Sequence, residues 1–124
     1  MNNNKLPPEK IIDIRSKMQF YIMNSLLGVA TKKIRGISLN YVNEIMDINV
    51  FFDNELTEDE EEEMQNIDTD AISSAYPVLF DWNNNPILNI KQMNLNLLII
   101  PSPISILDKR GSLGWIYLRK EYAE

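Results

Sequence analysis

Apolar and polar positions follow two different periods along this chain, and the change of period predicts its elements. From about Glu9, apolar residues recur every three or four positions, as on one face of a helix, and Gly28 suits the position just past its end. The helical set is Ile11, Ile14, Met18, Tyr21, Ile22 and Leu26. From Ile34 the period is two, in two runs separated by the polar pair Asn43-Glu44. The two runs predict an antiparallel hairpin.

A second helix is predicted after the turn residues Asp53-Asn54-Glu55. Thr57 and Glu60 have the spacing of a capping box, in which each side chain bonds the backbone N–H of the other residue. The apolar stripe of this helix is Met64, Ile67, Ala71 and Ala75. Tyr76-Pro77 ends the helix, because the residue before a proline avoids helical angles.

The last third of the chain predicts loops and strands. Residues 77–86 and 104–112 have loop character, 87–100 has strand character in two pieces, and a final strand runs from Leu113 to about Glu121. Both faces of the final strand are apolar, which predicts a central strand covered on both sides. The order α-β-β-α-β-β predicts an α+β fold, with two helices on one face of a four-stranded, mostly antiparallel sheet.

Length and composition fit a cytoplasmic protein. The 124 residues suit a single domain over 1–124, in which 1–6 form a disordered tail. The chain is 44% hydrophobic and 24% charged, as in ordinary soluble proteins. No apolar run approaches the ~20 residues that a membrane-spanning helix needs. The N-terminal Met1-Asn2-Asn3-Asn4 lacks the basic and apolar regions of a secretory signal.

The absence of two residue types limits the chemistry. The chain has no Cys and no His, so it lacks the usual nucleophile, general base and zinc ligands. No phosphate-binding glycine motif is present, and the spacing of Asp53, Glu55 and Asp59 does not match a calcium loop. We therefore expect a protein that is not an enzyme and has no catalytic residues, metal or cofactor.

Charge is strongly segregated. Residues 36–90 hold 13 of the 18 acids and no Lys or Arg, and six consecutive acids run from Glu58 to Glu63. All 12 bases lie elsewhere, although the whole chain has a net charge of −6. Such a field repels nucleic acid and anionic membranes and attracts a basic protein. The alternative is that the acid run is only a solvated helix face, as acid runs usually are.

Two aromatic residues have more than one interpretation. Phe51 lies on the polar side of its alternating run, where it either covers an edge of the sheet or contacts the first helix. Trp82 lies in the 77–86 loop, as part of the core or as an exposed contact, and the core is favoured.

Several segments resemble small bacterial immunity proteins of contact-dependent growth inhibition systems and their orphan relatives. They are Leu26-Leu27-Gly28, Ile34-Arg35, the run FFDNELTE at 51–58, and YLRKE at 117–121. Their order and spacing match from about Lys10 to Glu121, whereas 82–107 departs from the pattern and is rich in Asn and Ile.

The resemblance implies a cytoplasmic one-to-one inhibitor of the toxic C-terminal domain of a cell-surface effector. Many such toxins are nucleases with basic clefts, which an acidic inhibitor could cover. The acids expected to contact the toxin are Asp53, Glu55, Glu58, Asp59, Glu61 and Glu62. Phe51 or Trp82 would provide an apolar anchor. The alternative is a non-catalytic adaptor or structural domain whose acids serve only solubility.

Overall fold

A computed structural model describes residues 6–25 and 33–119, except the side chains of residues 25 and 67–72. The described ranges form two α-helices, six strands and one 3₁₀ turn. In chain order these are α1 (Pro8–Ser25), β1 (Ile34–Val42), β2 (Ile45–Phe52), α2 (Glu58–Ala75), β3 (Val78–Phe80), β4 (Pro86–Asn89), β5 (Gln92–Ile99), the 3₁₀ turn (Leu107–Lys109) and β6 (Gly114–Leu118). The predicted helix end at Gly28 lies outside the described residues, as does all of the predicted tail except Leu6.

Four of the strands form one mixed sheet in the order β5-β2-β1-β6. β1 is antiparallel to both β2 and β6, whereas β2 and β5 run parallel. Parallel neighbours need a long crossover, and here α2 and the separate β3–β4 hairpin provide it. The predicted α+β fold with a four-stranded, mostly antiparallel sheet is confirmed.

The predicted β1–β2 hairpin is also confirmed. Its turn consists of Asn43 and Glu44, which have φ angles of 53° and 64°. Two consecutive positive φ angles match the right-handed twist of the flanking strands, which is why two-residue hairpins favour such turns. The resulting register pairs Ile34 with Phe52, so the residues just outside the hairpin come close together.

The core lies between one face of the sheet and the two helices. Ile14, Met18 and Ile22 of α1 are each no more than 1% exposed, as the three- and four-residue spacing predicts. They pack against alternate residues of the central strands, namely Ile37, Leu39, Met46, Ile48, Val50 and Phe52. From α2, Met64 and Ala75 join this core, while the side chains of Ile67 and Ala71 are outside the described set.

Neither of the two described α-helices lies on the opposite face of the sheet. Residues 100–113, which we call the covering segment, lie over its β1–β6 half, where Ser38 Oγ donates to Lys109 O (2.9 Å). Phe51 is 2% exposed, and its ring meets that of Trp115 edge-on at 5.6 Å. The sequence predicts that Phe51 covers an edge of the sheet or contacts the first helix, and in the structure it does neither. It lies in a second, smaller interior between the sheet and the covering segment.

Two sequence predictions about strands are wrong. The predicted loop 77–86 contains β3, which is only three residues long and pairs with β4. The final strand β6 is an edge strand and not a central one. It is apolar on both faces because the helical layer covers one side and the covering segment contacts the other. By contrast, residues 87–100 do divide into two strands, β4 and β5.

Candidate partner-binding surface

The stretch from Asp53 to Glu63, which we call the acidic segment, contains the predicted capping box at the start of α2. The backbone N–H of Thr57 donates to Glu60 Oε1 (2.8 Å), and the N–H of Glu60 donates to Thr57 Oγ1 (3.2 Å). These two bonds satisfy backbone donors that the helix itself cannot use. The capping box therefore fixes where α2 starts and which way each following acid points.

Two cations hold two of the acids against the sheet. Lys33 Nζ lies 2.7 Å from Glu60 Oε1 and also donates to the backbone carbonyl of Glu55 (3.1 Å). Arg119 Nη1 lies 2.7 Å from Asp53 Oδ2. The hydrogen bond from Lys33, followed by that from the Thr57 backbone, lowers the pKa of Glu60 below its ordinary value.

The other five acids between Asp53 and Glu62 point into solvent, whereas Glu63 is only partly exposed. They form what we call the acidic surface: Glu55, Glu58, Asp59, Glu61 and Glu62, all exposed. No ion pair within residues 6–25 and 33–119 involves any of them. Within the described part of the chain, these five carboxylates have no cation partner, so binding cationic groups of a partner protein breaks no ion pair there.

The structure places the predicted contact residues in three separate environments. Asp53 borders the acidic surface but is already paired with Arg119, and both side chains are 24% exposed. Phe51 is buried, so the prediction that it anchors a partner is corrected: a ring inside a packed interior cannot be reached from outside. Trp82 is 52% exposed, which makes the favoured core interpretation wrong.

Trp82 forms an exposed aromatic patch with α1. Its ring lies edge-on to Phe20 at 5.3 Å, and Lys17 Nζ sits 4.4 Å from its ring centroid. Trp82 Nε1 donates to Ser16 Oγ (3.2 Å). Phe20 is 49% exposed, so two large aromatic side chains are about half accessible. These described contacts of Trp82 are with α1 and not with the acidic surface.

A tight turn presents this tryptophan. Asp81 Oδ1 accepts from the backbone N–H groups of Asn83 (2.8 Å) and Asn85 (2.9 Å), and Asn84 has a φ of 64°. The bond from Asn85, followed by that from Asn83, lowers the pKa of Asp81. The turn therefore holds Trp82 outside the core.

Sequence reasoning missed the cations that hold the acidic segment. Lys33 was recoverable, because a hairpin that pairs Ile34 with Phe52 brings Lys33 next to Asp53 and Glu55. In fact the backbone N–H of Asp53 donates to Lys33 O (3.0 Å). Arg119 had no local signal, since its position depends on β6 pairing with β1 across most of the chain.

The described residues show neither a metal site nor a membrane-spanning helix. No group of three or more acids in them is arranged to hold a metal ion. Neither α1 nor α2 combines the length and the apolar character that crossing a membrane requires.

Comparison with known proteins gives one relationship. No curated protein matches the sequence. Residues 15–121 of the 124 match a protein family described as MafI2 immunity protein. The match extends from the middle of α1 past the end of β6 and includes the acidic surface, Trp82 and the covering segment. The chain therefore belongs to the MafI2 immunity protein family.

Proposed function

We propose that this chain protects its host by binding the toxic C-terminal domain of a contact-dependent growth inhibition effector in the cytoplasm. In this proposal the toxin is a nuclease with a basic cleft, and the complex contains one inhibitor per toxin. The chain acts by binding, without catalysis, cofactor, nucleic acid or membrane. Membership of an immunity protein family supports a toxin-neutralising role.

The observation that supports a nuclease with a basic cleft as the toxin is the acidic surface. Its five acids are exposed and have no cation partner among the described residues, while the capping box and Lys33 hold their backbone in place. Because the backbone of this site is already held, binding loses little backbone conformational entropy, and the cost falls on the side chains that become ordered. Carboxylates at such a site would compete with a nucleic acid backbone for the same basic cleft. Asp53 would take part at the margin, and Trp82 would contact the toxin only if the interface reaches α1.

Charge complementarity would act mainly on the association rate. Electrostatic steering can raise association from a neutral ~10⁵–10⁶ to ~10⁸–10⁹ M⁻¹s⁻¹ at low salt. A toxin that acts on arrival must be met quickly, so rate is the property to measure. The steering would weaken as salt shortens the Debye length to about 8 Å at physiological ionic strength.

The test uses the C-terminal domain of the effector encoded immediately upstream, co-expressed with this chain. We expect the domain to stop growth alone, and growth to be restored by this chain. For the surface, the variant E58Q/D59N/E61Q/E62Q should associate at least about tenfold more slowly at low salt, and the difference should shrink at high salt.

The matched control removes four acids elsewhere, as E9Q/D13N/E44Q/D108N, so both variants change net charge equally. A slow rate only in the first variant would support the acidic surface. Equal slowing in both variants would mean that total charge matters and the site does not. Absence of growth rescue or of a complex would contradict the toxin-neutralising proposal and favour an adaptor domain with a solvated acidic helix.

A further inference from the structure

The two edges of the main sheet differ in how they are covered. At the β6 edge, side chains of α1 bond the strand's outward carbonyls: Arg15 Nη2 donates to Trp115 O, and Gln19 Nε2 donates to Ile116 O (2.8 Å). At the other edge, β5 pairs only with β2. Within the described ranges no hydrogen bond from a helix or loop reaches the backbone of Gln92–Ile99. Alternate residues of β5 therefore direct their N–H and C=O groups away from the sheet.

β5 also lacks the features that usually keep an edge strand from pairing. It is eight residues long, has no bulge against β2, and contains no proline and no charge. The whole stretch 92–107 is uncharged. Leu98 and Ile99 at its end are 39% and 46% exposed. Long, regular, uncharged edges of this kind are templates for another strand.

The side-chain pattern of β5 is complementary to itself. Met93, Leu95 and Leu97 lie on the core face, and Asn94 and Asn96 lie on the open face. If two copies pair antiparallel about an axis at Leu95, Met93 faces Leu97 of the second copy and Asn94 faces its Asn96. Asparagine amides already pair across this face, since Asn96 Nδ2 donates to Asn49 Oδ1 (2.9 Å). The amide ladder would simply continue into the second sheet.

Charge indicates which partner this edge accepts. A basic toxin gains nothing from an uncharged strand, whereas two copies with a net charge of −6 each repel least where the strands that meet are uncharged. The acid beside this edge, Asp47, lies one strand away on β2 and already accepts from Asn94 and Asn96. We propose that two copies of this chain pair antiparallel through β5, so that their sheets join into one of eight strands. The acidic surface, formed by Glu55 and the start of α2, contains no residue of β5, so in this proposal its side chains stay available to a toxin.

The first measurement is the mass of the full chain in solution by light scattering, at low and high protein concentration. We expect a dimer of twice 14.4 kDa that dissociates on dilution. Leu98→Lys should make the protein monomeric, because a lysine on an edge strand opposes its pairing with another strand. Ile12→Lys is the matched control: Ile12 is 63% exposed on α1, and this variant should stay dimeric. Unchanged circular dichroism would show that both variants fold.

Cross-linking locates the contact independently, since the chain contains no cysteine. We expect a disulfide-linked dimer when Asn94→Cys and Asn96→Cys chains are mixed, because residue 94 of one copy faces residue 96 of the other, and none from Ile12→Cys. A monomer at every concentration would overturn the proposal. So would a dimer that survives Leu98→Lys, or cross-linking from Ile12→Cys alone. None of these results bears on toxin binding, which is measured with the acidic surface variants.

Discussion

The β6 side and the β5 side of the sheet show two ways in which a sheet can end. On the β6 side, α1 bonds the outer carbonyls, and the covering segment packs over the open face. On the β5 side, the open face carries a row of polar side chains, in which the amides of Asn94 and Asn96 donate to the carboxylate of Asp47 (2.9 and 3.4 Å). The same sheet is thus closed at one edge and available at the other.

This difference explains the composition of the two strands. β6 can be apolar on both faces because protein covers it on both, although it lies at an edge. β5 alternates leucine or methionine with asparagine, because its core face is covered and its other face meets water. The apolar content of a strand therefore indicates how many of its faces are covered. It does not indicate whether the strand is central or at an edge of the sheet.

The largest expected effect concerns the junction that holds the covering segment to β1. Gly111 has a φ of 72°, and a Cβ there would clash with the backbone oxygen of Leu39. Gly111→Ala should cost about 2–4 kcal/mol of unfolding free energy, from the left-handed conformation together with the backbone clash. Urea unfolding measures it.

Gly114→Ala separates the two causes of this effect. Gly114 also has a positive φ, 89°, but a Cβ there would meet nothing closer than Arg15 Cζ at 3.8 Å. We expect the conformational cost alone, about 1–2 kcal/mol. Equal losses in the two variants would show that the approach to Leu39 is not what makes this junction rigid.

A smaller effect is expected from removing the cover of the β6 edge. The double variant Arg15→Met/Gln19→Met keeps the apolar stems but removes both bonds to β6 carbonyls, and should cost about 1–2 kcal/mol. Backbone amides of β6 should also exchange faster with solvent. Asn24→Met, an exposed change on the same helix, should stay within about 0.5 kcal/mol of the wild type. If β6 exchange is unchanged in the double variant, α1 packs beside this edge without protecting it.

Local signals in the sequence were sufficient for much of the fold. The start of α2 follows from Thr57 and Glu60, and the hairpin turn follows from two polar residues between alternating runs. The predictions that failed concern contacts between segments far apart in the sequence. The parallel pairing of β2 with β5 and the edge position of β6 depend on contacts between distant segments, which periodicity does not record.

The candidate surface was predictable to a similar extent. The exposure of Glu58, Asp59, Glu61 and Glu62 follows from the phase of α2, which the capping box sets. The environment of Phe51 does not, because the covering segment that buries it comes some fifty residues later in the chain. Trp82 is exposed because the Asp81 turn holds it against α1. The sequence predicts a loop here but not the contact between this turn and α1.

The smallest expected effect concerns the ion pair between Lys33 and Glu60, which holds the start of α2 next to the start of β1. The folded state lowers the pKa of Glu60, so an unfolded chain takes up this proton more readily than a folded one. The stabilisation is complete above the ordinary glutamate pKa of 4.5 and is lost as the pH falls from there through the lower folded value. A double-mutant cycle of Lys33→Met and Glu60→Gln should therefore show a favourable coupling near neutral pH that disappears in acid. No coupling at neutral pH, together with a destabilising effect of Lys33→Met alone, would mean that Lys33 stabilises this segment through its bond to the Glu55 carbonyl and not through the ion pair.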